Sequence, residues 1–100
     1  MDNNVVAYII EDGPFIYVGE MVEQDKIPLF TLALTRVLLR VLNPKDRTIS
    51  WAQVPCVGKD SLVLIDMKVV RGVLVKNIDS DDLNEYRVEA SRIYSKPTLA

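Results

Sequence analysis

The sequence predicts an all-β domain: a small barrel of about five antiparallel strands with one accessory C-terminal α-helix. Three observations predict it. Short runs rich in β-branched residues recur between turn signals, at 5–10, 15–22, 29–42, 48–57, 61–70 and 73–75. A capped segment with apolar residues at helical spacing stands near the end of the chain. One hundred residues, 49% of them apolar, suffice for one core and for a single domain over 1–100, with the barrel at about 5–77.

Each element follows from its residues. The run 5–10, rich in β-branched residues, reads as a strand, and Asp12-Gly13-Pro14 as the turn after it. Phe15 to Val22 is again β-rich, with Gly19 marking a bend or a close backbone approach, so the two segments form a hairpin. The stretch 29–42 fits either periodicity. As a helix it places Arg36 and Arg40 on one face. As a strand it has one uncharged face (Thr31, Ala33, Thr35, Val37, Leu39, Val41) and both arginines on the other. Its threonines and valines favour the strand.

Asn43-Pro44-Lys45-Asp46 is then a turn, and short alternation around Ile49 and Trp51 ends at Pro55. After Gly58-Lys59-Asp60, residues 61–70 alternate, with Val63, Ile65, Met67 and Val69 on one face. Arg71-Gly72 interrupts before Val73-Leu74-Val75. Asp79 or Ser80 caps a helix over 80–94, with Asp81 and Asp82 in its first turn and Leu83, Tyr86, Ala90 and Ile93 on its apolar face.

The net charge of −2 is segregated. Residues 1–25 hold six acids and no Lys or Arg, whereas 26–76 hold nine Lys or Arg against three acids. The overall charge argues against indiscriminate nucleic-acid binding; the middle leaves room for a local positive patch. The absence of histidine removes every Ser-His or Cys-His pair, and with one cysteine, Cys56, it disfavours a zinc site. No Gly-rich phosphate loop occurs, and Asp79, Asp81 and Asp82 lack the Gly and distal Glu of a calcium loop. The expectation is therefore a non-enzyme with no cofactor, no metal and no catalytic residues. No signal peptide or membrane span is expected either, which points to a reducing cytoplasm.

Two stretches resemble the Sm/LSm family, which includes the bacterial Hfq-type RNA-binding proteins. The first is Asp12-Gly13, Gly19, Asp25 and Leu32 in order, with Asp25 six residues after Gly19; the second is Val69-Val70-Arg71-Gly72-Val73-Leu74-Val75. The likeness covers roughly 5–77 and extends to the marine, phage-borne branch of Sm-like proteins. It implies an SH3-type barrel, with Gly19 in a strongly bent strand and Gly72 in a tight connection between the last two strands. It also implies a homo-oligomeric ring of unread size, in which 61–70 of one subunit pairs with 73–77 of the next. If phage-encoded, the chain would act in the host cytoplasm.

The implied ligand is single-stranded RNA or DNA, in RNA or DNA processing, held around Arg71, Gly72, Asp25, Ile27 and Leu29. Departures weaken base reading. Ile27 stands where the family stacks a base and Leu29 where it reads a base edge with Asn. Val73 follows the Arg-Gly, the helix is C-terminal, and 43–60 is an insertion. Weak sequence selectivity is the consequence, and the alternative is a structural or adaptor ring that binds protein through Ile27-Pro28-Leu29.

The remaining candidates have structural readings beside the functional ones. Arg71 either holds a base or phosphate at the pore or pairs with Asp25, which itself orders its loop. Arg36, Arg40, Lys45 and Arg47 form a phosphate-binding ridge or a solvated hairpin. Trp51, with Ile49 and Val54, stacks on bases or, more simply, packs or makes a subunit contact.

Overall fold

Six antiparallel strands and one helix follow one another along the chain: β1 (Val5–Ile10), β2 (Phe15–Met21), β3 (Thr31–Leu42), β4 (Ile49–Gln53), β5 (Val63–Asp66), β6 (Gly72–Val75) and α1 (Ser80–Tyr94). The computed structural model describes residues 4–11, 13, 15–23, 27–54, 58 and 61–94. The strands form one sheet in the order β4-β3-β2-β1-β6, with β5 also on β3. The fold is thus mostly β with one C-terminal helix, as expected, and 29–42 supplies a strand.

The expected closed five-stranded barrel is corrected on two points. Residues 49–53 of the insertion pair with the second half of β3 and make a sixth strand. Among the described residues β5 and β6 do not pair with each other, so the sheet stays open.

The sheet is buried on both faces, which explains why β1 reads VVAYII without a charged residue. Val5, Ala7, Val18 and Leu38 pack under Tyr86, Ala90 and Tyr94 of α1. On the opposite face Val6, Tyr8, Leu32, Leu34, Val37 and Ile65 form a second core. Burial of Leu, Ile or Val side chains contributes about 1.5–3 kcal/mol each, so the two layers dominate the stability of so short a chain.

Leu32, Leu34 and Val37 share a core although they differ in parity. The uniform alternation expected for this strand breaks where the β2–β3 register shifts between Val18 and Glu20. Arg36 takes a φ of 52° there. The extra residue reverses which side chains face which core and bends the strand. Gly19 sits opposite: a Cβ on it would lie 3.0 Å from the Thr35 carbonyl oxygen and 3.0 Å from Val37 Cγ2. Gly19 therefore serves the bend by close approach, as its place in the sequence suggested.

Two further expectations are corrected. The strand expected over 61–70 stops at Asp66, whose carboxylate accepts the Lys68 amide at 2.9 Å while its carbonyl accepts the Val70 amide at 2.9 Å. This turn carries Val69 out of the apolar face, leaving it 76% exposed. Gly72 does not act in a connection between the last two strands. It opens β6 against β1, and a Cβ there would overlap the Ile9 carbonyl and press the Tyr8 ring.

Candidate functional site

Residues 27–30, which lead into β3, meet the turn between β5 and β6. The Phe30 carbonyl accepts the Met67 amide at 2.9 Å, continuing the β3–β5 ladder by one step. The Thr31 amide donates to the Pro28 carbonyl at 3.2 Å, which closes a turn before β3. Phe30 has a φ of 62°. A bulky side chain pays about 1–2 kcal/mol for that left-handed conformation. The result turns its ring outward, 58% exposed, beside Leu29 at 88%.

Lys68 completes this surface. Its ammonium lies 4.6 Å from the centroid of the Phe30 ring, a cation–π contact. The turn that holds it is fixed from three sides. Asp66 accepts its amides, the Tyr8 hydroxyl donates to the Val70 carbonyl from the core, and the Glu11 amide donates to the Arg71 carbonyl at 3.1 Å. Arg71 then projects from a held backbone and is exposed.

Of the residues singled out from the sequence, Arg71 lies at the end of this turn, Gly72 opens β6 just after it, Leu29 lies on the facing loop, and Ile27 is half-buried in that loop. Asp25 lies outside the described residues, as does Cys56, so the Asp25–Arg71 pairing is not described. Phe30 and Lys68 were not singled out. Phe30 was absorbed into a strand expected to start at Leu29, and only its left-handed backbone turns it out. Its signal was the Pro28-Leu29-Phe30 run, three bulky residues before the first alternating position.

The arginine ridge does not form. Arg36 is 3.7 Å from Glu20 and its guanidinium lies 5.7 Å from the Tyr94 ring centroid. Arg40 contacts Asp82 at 3.2 Å. Both are half-buried under α1, so they anchor the helix. Lys45 and Arg47 alone stand on the exposed hairpin tip, ordered by Asn43 and Asp46. Amide and hydroxyl donation from Thr48 holds the Asp46 carboxyl below the usual carboxylate range.

Trp51 packs, its ring centroid 6.2 Å from that of Tyr86. Asp79 and Asp82 belong to the start of the helix: the Asp79 carbonyl accepts the Leu83 amide at 2.9 Å, and Asp82 meets Arg40. Among the described residues no group of three or more acids or cysteines is placed to hold a metal, and no helix is long and apolar enough to cross a membrane. Compared with known proteins, the chain matches no family model, no curated protein and no solved structure.

Proposed function

We propose that this chain is an Sm-like, homo-oligomeric protein that binds single-stranded nucleic acid with weak sequence selectivity on the surface made by Phe30, Lys68 and Arg71. The observation that carries the reading is the exposed Phe30 ring with the Lys68 ammonium at 4.6 Å. An aromatic face stacks any base, and adjacent cations take the phosphates. Ile27 and Leu29 offer no side-chain donor or acceptor for a base edge, which accounts for weak selectivity.

The strand order supports the assembly half of the reading. Among the described residues β6 pairs only with β1, and β5 only with β3, which leaves one edge of each without a described partner strand. The Glu11–Arg71 bond makes alternate positions of β6 face β1, which leaves the backbone groups of Gly72 and Leu74 outward. By the same rule the Met67–Phe30 bond leaves those of Leu64 outward on β5, while the Asp66 carbonyl is taken by the Val70 amide. Antiparallel joining of these edges between subunits is heterologous and closes into a ring if the rotation allows.

Titration of labelled oligo-U, oligo-A and single-stranded DNA at two salt concentrations tests the binding, and light scattering tests the assembly. Salt-dependent binding of all three, weakened in Phe30→Ala, is expected. No binding to any of them removes the proposal.

A second reading rests on Leu29 and Val69, 88% and 76% exposed. These aliphatic groups suit a protein partner, as an adaptor ring would have. Recovery of protein without nucleic acid from a native host would favour it.

A further inference from the structure

The helix face of the sheet holds a cavity that α1 does not fill. Pairing sets Ile9 opposite Ile16, and Ile16 opposite Arg40, in one row across β1, β2 and β3. The next row runs Val75, Ala7, Val18 and Leu38. α1 packs chiefly over β3 and β4, so it covers the Leu38 end of these rows. Towards β1 and β6 the roof is the 77–79 connection, and Ala7 is the smallest side chain of its row. A cavity of about 150 Å³ remains between roof and sheet. Its walls are Ala7, Ile16, Val18, Val75 and Ile78, and it reaches Arg40 and Asp82 at one end.

Arg40 makes this more than a gap in packing. Its side chain is 19% exposed. Its Nη2 donates to Asp82 at 3.2 Å, but its Nε is buried and meets no acceptor among the described residues. A buried donor without an acceptor is uncommon in native folds and calls for a reason such as a bound group. A guanidinium also carries more N–H donors than one carboxylate oxygen can engage. An under-satisfied cation therefore closes one end of an otherwise apolar cavity, the pattern of a small-molecule site.

We propose that this cavity binds a small neutral amide or lactam carried on an apolar body of about benzene size. The volume sets the body, since an apolar cavity of roughly this size admits benzene. The charges set the head. Asp79 and Asp82 oppose an anion, and Arg40 opposes a cation. A neutral carbonyl accepts from the guanidinium while the N–H beside it donates to a carboxylate, so one head matches both. Asn77 and Asp79, both exposed, stand on the side that opens to solvent. Phe30, Lys68 and Arg71 line none of the cavity, so the site is independent of nucleic-acid binding.

Probes that share a phenyl body separate the heads: benzamide, benzoate, benzylammonium and toluene. Each is titrated into the isotope-labelled full chain and followed by the amide resonances. Benzamide is expected to give saturable shifts at Ala7, Val18 and Ile78, with an affinity about tenfold above that of each other probe. Arg40→Met should weaken benzamide by about tenfold and leave toluene unchanged. Ile9→Trp, at a position 38% exposed, fills the cavity while Arg40 and Asp82 stay in place. It should abolish binding with an unchanged circular dichroism spectrum. No saturable shift with benzamide overturns the proposal, and so does any other probe binding as tightly. Benzamide affinity kept in folded Arg40→Met, or in Ile9→Trp, overturns it as well. If the spectrum shows that Arg40→Met loses its fold, Ile9→Trp decides alone.

Discussion

The Tyr86 hydroxyl donates to the Arg36 carbonyl at 2.6 Å, fifty residues away in the chain. Arg36 is the residue at which β3 breaks register, so its carbonyl is withdrawn from the regular ladder. Tyr94, two helical turns further on, donates to the next carbonyl, that of Val37. The helix thus docks where the bent strand has acceptors to spare, and Arg40–Asp82 fixes its other end.

Removal of one of these hydroxyls leaves a buried acceptor unsatisfied. Tyr86→Phe should lower stability by about 1–3 kcal/mol, the cost of stranding a buried polar group. Tyr94→Phe should act in the same direction. Because the two acceptors are neighbours in one bulge, the double variant should depart from the sum of the singles. Urea denaturation of the three variants measures this; additive effects would show that the two bonds act independently.

The same tyrosines set the alkaline limit. Burial pushes the Tyr86 phenol up, and burial also raises that of Tyr94. Both groups are protonated, folded or unfolded, below the unfolded-state tyrosine pKa of about 10, so their contribution is intact there. Above it the unfolded chain ionises first, and stability falls until the folded-state values are reached. Chemical denaturation between pH 8 and 11 should show the decline starting near pH 10, with a shallower slope in Tyr86→Phe.

Local pattern carried most of the fold. The β-branched runs located five of the strands, the sixth lying in what reads as an insertion, and the capping acids with Leu83, Tyr86, Ala90 and Ile93 located the helix at Ser80–Tyr94. Three reversals were hidden for one reason. Phe30, Arg36 and Arg47 all take positive φ, and none is a glycine or asparagine. None of these residue types favours the left-handed region, so no residue preference announces them. They turned Phe30 outward and reversed the faces of β3. The Arg-Gly pair drew attention to Arg71, but Phe30 is brought to the same turn, against Lys68, only by the β3–β5 ladder.

Gly19 and Gly72 should differ in how they fail. Neither takes positive φ, so the penalty for a methyl group is steric. Gly19→Ala meets the Thr35 carbonyl and Val37, and should cost about 1–3 kcal/mol by overpacking. Gly72→Ala meets the Ile9 backbone, which cannot yield without parting β6 from β1. The Glu11 amide, which donates to Arg71 at 3.1 Å, should then lose hydrogen-exchange protection in Gly72→Ala and keep it in Gly19→Ala. Equal protection in both variants would mean that β6 tolerates the methyl.

Stacking and charge separate by their salt dependence. Phe30→Ala should weaken oligonucleotide binding by about 1–3 kcal/mol per stacked base at every salt concentration. Its slope of log affinity against log salt should stay unchanged, because no phosphate contact is lost. Arg71→Ala should instead flatten that slope by roughly 0.7 if it holds one phosphate of a single strand. Lys68 lies over the Phe30 ring and counts among the cations, so Lys68→Ala should flatten the slope and also loosen the ring. Phe30→Trp keeps an aromatic face and should retain affinity, whereas Phe30→Leu, equally apolar, should not. Retention by leucine would assign Phe30 to a hydrophobic contact, and the adaptor reading would then account for its exposure.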